Sequence, residues 1–533
     1  MFYSQPPDFH YQMITEILSN KPIFWIYLTI LGLVSILLAG YATSTYGAGV
    51  GTDGAIQMST ADNLLKGDGL VDFTGTPFVR WPPLYPILLA ALSRLTGLDT
   101  FTIGWYLNVL LLGVIVWLGG ALLYQCFNDE PLWAFLGSLV IASSVSLLSV
   151  VANIGTDPLF MALTISFLFV ANVYLATGLR WSLFGMALLA CLASLQRLPG
   201  VTLIATGAIL ILYTNRKSIT RGILQSALFS VLTFLPLAGW LVLHNYVQNR
   251  TLAGVYLFVD TVPFFNLQNS LQKIVHWFVP YFVAARVPTF LIIGLTVLVL
   301  LLISRRPDWI RWGNRLFHPP VLSSLILTGL YYAFIILTIN SVDTKFPFYD
   351  RYYIVILAPL LVLIFATVQE LVIFRVKQRP NLARLVVIIV FALWLIYPVF
   401  SVYKYVGLAR AKGDVTYNRY NTRAMHQSNI VRVLQDIGKE DGQTIYSNYQ
   451  AAAWFYTRKN VSESPRGSIL EKINVDNLLK TYQGWPWDKP GYLVWFLPND
   501  YKHVLGPQNL ARLADLELIY KDKDGEVYRV RAR

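Results

Sequence analysis

The chain has 533 residues, of which 55% are hydrophobic and only 13% charged, against roughly 25% charge in an ordinary soluble domain. This excludes a single soluble globular domain and points to a protein built largely inside a bilayer. The net charge of +13 does not imply a nucleic-acid partner, because most of the basic excess falls in short loops between apolar runs.

The chain opens with a short N-terminal segment, residues 1–22. The first apolar run, IFWIYLTILGLVSILLAGY from Ile23, is near the ~20 residues that a bilayer core requires of a helix. It has no basic stretch ahead of it and no small-residue cleavage site beyond it, so it reads as a retained span and not as a removed signal peptide. Further runs begin near Phe101, Leu132, Asp157, Trp181, Val201, Ile223, Val287, Val321, Tyr352 and Leu385, which gives about eleven transmembrane helices. The loops TNRKSITRG, SRRPDWIRWGNRLFH and FRVKQRPNLAR together hold eleven Lys and Arg, and this count places all three on one face. By the positive-inside rule that face is cytoplasmic, together with the N-terminus. The protein is then expected to be an integral, multi-pass membrane protein.

The loop after the first span, residues 42–100, faces outward and is patterned. AIQMSTADNLLKG and PLYPILLAALSRLTG read as amphipathic helices, too short to cross and polar on one face, as interfacial helices are. A second outer segment, about 245–286, contains SLQKIVHWFVPYFVAARVP, again read as interfacial. The alternative, a poorly formed span, would make the count twelve and move the tail across the membrane. The multi-span part covers 23–403 and the tail 404–533. GQTIYSN, GYLVWFLP, LELIYKD and GEVYRVRA read there as strands, and SNIVRVLQDIG and PQNLARLADL as helices. The fold class is thus mainly α, a polytopic membrane protein with a small extracytoplasmic α/β domain. Cys126 and Cys191 lie in or beside spans and the tail has no cysteine, so no disulfide holds it together.

Charge near the outer ends of the early spans is scarce enough to be informative. Asp53, in GTDGAIQM, follows the first span; Asp157, in NIGTDPLF, sits in the outer turn between the third and fourth. Carboxylates near hydrocarbon cost about 2.5–3.5 kcal/mol at mid-membrane, so they usually face a polar cavity. The plainer readings are a solvated turn for Asp53 and, for Asp157 before Pro158, an N-cap of the fourth span. Arg80 precedes a Pro-Pro step in TPFVRWPPLYPILL, where a guanidinium at the headgroup level either binds a phosphate or anchors the chain by snorkelling. Arg197, in ASLQRLPGV, is a charge between two very apolar spans and is expected to point inward. Arg351, in FPFYDRYYIVILAP, is expected to do the same or to pair with Asp350 beside it. No Gly-rich phosphate loop, GxSxG or HExxH occurs, and the six histidines lack ligand spacing for zinc. KDKDG, between two tail strands, reads as a β-turn.

The order of these pieces, GTDGAIQMSTADNLLKGDGL, RWPPLYPILLAAL, GTDPLF, SLQRLPGV and YDRYYIVILAP after a first span, resembles the membrane-embedded GT-C glycosyltransferases. Within them it is most similar to the bacterial relatives of the dolichyl-phosphate-mannose and aminoarabinose transferases, over residues 23–370. The resemblance implies transfer of a sugar from a polyprenyl-phosphate carrier to a hydroxyl of a glycan, lipid or protein acceptor on the outer face, with inversion. It implies Asp53 as the catalytic carboxylate, Asp157 as a second acid in the same cavity, and Arg80, Arg197 and Arg351 as donor-phosphate ligands. Arg80 departs from the pattern, since Trp81 separates it from the prolines where some relatives place lysine directly before them. No cofactor is required, because the lipid carrier delivers an activated sugar, though a divalent metal stays compatible with the sequence. Two other classes fit an outer-face envelope protein: a flippase for lipid-linked glycans, which would place its charges at the bilayer midplane, and an O-antigen ligase or polymerase, for which His276 in the second outer segment is the residue to test.

Overall fold

The computed structural model describes residues 22–533 except 129–130, 253–262, 281–282, 284–285, 304–305, 341–349, 372–379, 414–419, 441, 463, 468–473, 488 and 498–503. The N-terminal segment up to residue 21, the middle of the second outer segment and much of the basic loop FRVKQRPNLAR lie outside the described residues.

Each of the eleven apolar runs is helical. Six helices are long and apolar enough to cross a bilayer unaided: Pro22–Ala42, Thr100–Cys126, Asp157–Thr177, Ile219–Asn249, Pro319–Thr338 and Leu385–Lys412. The pair Leu132–Ala142 and Val145–Val151, bent by 52°, makes a seventh if counted as one span. The other runs form shorter helices, among them Arg180–Gln196 with 17 residues. At ~1.5 Å per residue such a helix rises about 26 Å, short of the ~30 Å hydrocarbon core. By length and apolarity, therefore, six or seven of the eleven expected spans qualify among the described residues.

The Thr100–Cys126 helix defines two ends of the bundle. At one end the Thr100 hydroxyl donates to Asp62 Oδ1 at 2.7 Å, inside the first outer loop. At the other the Arg315 guanidinium donates to the Cys126 carbonyl at 2.7 Å, and Tyr213 stacks on Phe317 at 6.5 Å, so the loops TNRKSITRG and SRRPDWIRWGNRLFH share the end away from Asp53. Between them one chain of buried polar side chains is paired: Ser323 donates to Asn172 Oδ1 at 2.6 Å and Asn172 to Gln125 Oε1 at 3.0 Å. Satisfying such groups inside the bundle avoids the cost of an unmade hydrogen bond in hydrocarbon. Ile23, Leu37, Leu224 and Leu393 point outward instead, as a lipid-facing surface requires.

Both amphipathic stretches of the first outer loop are helices, Thr52–Lys66 and Leu84–Thr96. The first does not lie with one polar face in an interface, as its pattern suggested. Gln57, Ser59, Thr60 and Asn63 are buried along with Ala55, Met58 and Ala61, because the tail covers the side that the bundle leaves open. Asn63 Nδ2 is satisfied by the carbonyls of Val71 and Asp72, each at 3.0 Å.

The tail holds a five-stranded sheet of β1 (Thr444–Ser447), β2 (Val461–Ser462), β3 (Gly491–Phe496), β4 (Ala514–Lys521) and β5 (Gly525–Ala532) in the order β2-β1-β3-β5-β4. β1 runs parallel to β2 and β3, while β5 pairs antiparallel with β3 and β4. All four expected strands are present, and KDKDG is the turn joining β4 to β5, with Asp522 Oδ1 accepting from the Asp524 N–H at 2.8 Å. β2 and the Gln450–Thr457 helix have no counterpart in the sequence reading. PQNLARLADL gives only a short helix, Pro507–Leu510, before its end enters β4. Three tryptophans of the tail fill its core, Trp454, Trp485 and Trp495 being at most 4% exposed. Phe73 of the first outer loop stacks on Trp454 at 6.2 Å. Arg458 reaches Asp62 at 3.8 Å and Asp99 at 3.9 Å, so tail and outer loop form one packed unit.

Candidate functional site

Asp53 is placed by a strip of extended chain that leaves the first span. The Gly49 N–H donates to the Ala152 carbonyl at 2.8 Å and the Gly49 carbonyl accepts from the Ile154 N–H at 2.9 Å. This single parallel bridge lays the two acid-bearing turns side by side. Asn108 locks the second of them, donating to the Asn153 carbonyl at 2.6 Å from a fully buried position in the Thr100–Cys126 helix. Gly51 is extended, Thr52 opens the next helix and Asp53 lies in its first turn, where a negative charge meets the positive end of the helix dipole.

Gly54 is required by the closeness of this packing. A Cβ there would stand 2.7 Å from the Ile154 carbonyl oxygen, a backbone atom that cannot rotate away. Gly54→Ala is expected to push the two turns apart at a cost of ~1–3 kcal/mol, read as a lower thermal midpoint of the detergent-purified protein.

Asp157 opens the Asp157–Thr177 helix with Pro158 behind it, but it is not the cap. Thr156 occupies that position and no side chain caps the helix; Gln196 instead holds the Thr156 carbonyl at 2.9 Å. The Asp157 carboxylate forms an ion pair with Arg197, whose side chain is 15% exposed against 8% for Asp157. Arg197 follows the Arg180–Gln196 helix in an extended conformation, which swings its guanidinium inward to 5.9 Å from the Phe160 ring.

Arg351 donates from Nη2 to Asp53 Oδ2 at 2.9 Å and to the Tyr352 hydroxyl at 3.2 Å. Asp350 accepts from Ser146 Oγ at 2.9 Å, so Arg351 pairs across the fold with Asp53 and not with the acid beside it. The two ion pairs are neighbours. Arg197 lies within electrostatic reach of Arg351, Asp53, Tyr331 and Tyr352, and the Tyr331 hydroxyl donates to the Tyr352 carbonyl at 2.9 Å. Their accessibility differs: the Asp53 side chain is 40% exposed and Arg351 27%, while Asp157 is sealed. Four of the five residues expected at the site thus converge.

Arg80 does not join them among the described residues. It is exposed, with its guanidinium 5.0 Å from the ring of its own neighbour Trp81. The backbone ahead of it is held, however. His244 Nε2 lies 3.2 Å from the Phe78 carbonyl and Asn245 donates to the Val79 carbonyl at 2.8 Å. Both come from a π-helical turn, Trp240–Tyr246, just beyond Pro236. A proline inside a helix removes one ladder hydrogen bond and crowds the preceding turn, and a widened turn accommodates the break. His276 ends the Pro263–His276 helix, near Asp350. Burial, reinforced by Lys273, lowers its pKa from the usual value, and Asp350 opposes that shift.

Asn108, Tyr331 and Tyr352 did not emerge from sequence reading. Asn108 carried a signal, being a lone amide inside the run GWYLNVLLLG. Tyr331 and Tyr352 carried none, being two of 31 tyrosines in the chain. Among the described residues, no three His, Cys, Asp or Glu side chains gather as a metal site would require.

The chain is similar in structure to ArnT from Cupriavidus metallidurans in the apo state, with a TM-score of 0.58 at 14% identity over 95% of this chain and 97% of that one. It is similar to ArnT from the same organism bound to undecaprenyl phosphate, with a TM-score of 0.57 at 14% identity and the same coverages. No family model matches the chain, and no curated protein matches it. Its fold is accordingly that of the ArnT structures.

Proposed function

We propose that this protein is a glycosyltransferase that moves a sugar from a polyprenyl-phosphate carrier to a hydroxyl acceptor on the outer face of a bacterial inner membrane. The observation that carries the reading is the pair of adjacent acid–guanidinium contacts, Asp53 with Arg351 and Asp157 with Arg197, at the end of the bundle away from Arg315 and Phe317. The ArnT fold supports it, and so does undecaprenyl phosphate as the ligand of one ArnT structure.

Asp53 is the general base. Its Oδ2 is engaged by Arg351, and a carboxylate offers about four lone-pair sites, so the group is held in place while still able to accept the acceptor's hydroxyl proton. As that proton moves to Asp53, the acceptor oxygen bonds to the anomeric carbon, and the carbon–oxygen bond to the lipid phosphate breaks with its electron pair on the phosphate. A single displacement of this kind inverts the anomeric centre. Charge gathers on the departing phosphate, and fixed guanidinium groups at Arg351 and Arg197 stabilise it without reorganising. Asp157 acts through Arg197, fixing its position, and Arg80, exposed outside this cluster, is a further candidate contact for the lipid phosphate.

The test is transfer of label by purified protein from radiolabelled polyprenyl-phosphate hexose and pentose donors to a membrane glycan extract. No transfer from any donor, combined with movement of those lipids across proteoliposomes, would replace this reading with a flippase. A His276 variant that loses activity beside an active Asp53→Asn would favour a ligase. Arg351→Lys keeps the charge but loses the planar guanidinium whose Nη2 donates to both Asp53 and Tyr352. It is expected to lower transfer by about ten- to a hundredfold, mainly as a lower kcat because the charge that Arg351 stabilises develops on the departing phosphate, measured at saturating labelled donor.

A further inference from the structure

The strip that delivers Asp53 is clamped on its second side by the tail. Its carbonyls alternate: Gly49 faces the bundle, while Tyr46, Ala48 and Val50 face the segment Tyr420–Asn421. Asn421 Nδ2 donates to the Tyr46 carbonyl and, at 2.8 Å, to the Ala48 carbonyl. The Tyr420 N–H reaches the Val50 carbonyl at 3.3 Å, and the Tyr420 hydroxyl meets Thr52 Oγ1 at 3.0 Å. The period of two along the strip is that of a β-strand, with one edge given to each partner.

The clamp is itself braced. Asn421 Oδ1 contacts His426 Nε2 at 2.7 Å, and the Tyr420 carbonyl accepts from the Tyr456 hydroxyl at 2.6 Å. Asn421 is 2% exposed and Tyr420 5%. Gly47 has φ +79°, and a Cβ there would meet the Phe101 ring at 2.7 Å, so the strip can enter the clamp only with glycine at this position.

We infer that Tyr420 and Asn421 are positioning residues for Asp53, so that the extramembrane tail completes a site whose reacting groups all belong to the membrane part. The inference rests on Asp53 being the reacting carboxylate. A displacement of about 1 Å at a catalytic group costs on the order of a hundredfold in rate, and the last fixed contact before Asp53 is the hydroxyl pair Thr52–Tyr420.

The test uses the full-length protein in detergent or native membranes. Tyr420→Phe removes one hydroxyl and keeps the buried ring and the backbone hydrogen bond; Asn421→Ala removes both side-chain donors. The expected result is faster hydrogen exchange confined to residues 46–53, a kcat lower by about tenfold for Tyr420→Phe and about a hundredfold for Asn421→Ala, and an unchanged KM for the labelled polyprenyl-phosphate donor. Asn421→Asp, which still accepts from His426 but cannot donate to the two carbonyls, is expected to behave like Asn421→Ala. Unchanged exchange at 46–53, or an unchanged kcat in Asn421→Ala beside an inactive Asp53→Asn, overturns the inference and leaves the proposed function standing. An active Asp53→Asn overturns the proposed function instead, and exchange at 46–53 then reports on the clamp alone. If Asn421→Ala fails to fold, Tyr420→Phe decides by the same two readouts.

Discussion

Asp53→Asn is expected to lower sugar transfer by about 10²- to 10⁴-fold, the usual contribution of a positioned general base, with little change in stability. The substitution is isosteric, so the helix start at Thr52 and the packing of Gly54 on Ile154 are untouched. It removes one partner of an ion pair, but the Asp53 side chain is 40% exposed and Arg351 27%, so water replaces what Arg351 loses, and pairs of this kind are worth little. What the amide cannot do is take a proton from the acceptor hydroxyl. The measurement is transfer from the labelled donor together with the thermal midpoint of the same preparation. Full activity in the variant sinks the assignment of Asp53; loss of activity with an equal loss of folded protein leaves the general-base role without support. Asp53→Glu retains the base but moves it by one methylene, and is expected to recover only part of the rate because near-attack geometry is lost.

The sequence showed the membrane part far more clearly than the site. Apolar runs are long, contiguous signals, and every one of them is a helix. Their crossing is harder to read, since a run such as Arg180–Gln196 exposes Trp181, Phe184 and Leu188 as a lipid-facing helix would and yet is only 17 residues long. Asp53, Asp157, Arg197 and Arg351 stood out because charge near hydrocarbon is costly and therefore meaningful. Which acid meets which base did not follow from the sequence: Arg351 lies beside Asp350 in the chain but holds Asp53 from 298 residues away. Asp157 likewise resembled a helix cap, as an Asp before Pro does, and is an ion-pair partner because Arg197 arrives from the next connection. The tail clamp was invisible for a related reason. Asn421 and Tyr420 are ordinary loop residues whose role is set by the backbone they touch, and no local pattern announces a contact with residues 46–52.

The second large effect belongs to Asp157 and Arg197, and it separates stability from catalysis. Either single change leaves a nearly sealed charge without its partner, since the side chains are 8% and 15% exposed. Breaking one side of such a pair costs on the order of 3–5 kcal/mol. Asp157→Asn and Arg197→Gln are therefore each expected to lower the thermal midpoint strongly and to reduce the yield of folded protein. The double variant Asp157→Asn, Arg197→Gln removes both charges and keeps two side chains able to hydrogen bond, so most of the lost stability should return, because buried ion pairs contribute little net stability relative to a neutral replacement. Activity should not return with it if Arg197 stabilises the departing phosphate, for a neutral amide gives hydrogen bonds of roughly half the strength of a charge-assisted one. The measurements are the midpoint, binding of undecaprenyl phosphate and transfer rate for all three variants. A stable double variant that transfers at the parental rate would reduce Arg197 and Asp157 to a structural brace and leave Arg351, beside Asp53, as the group that receives the phosphate charge.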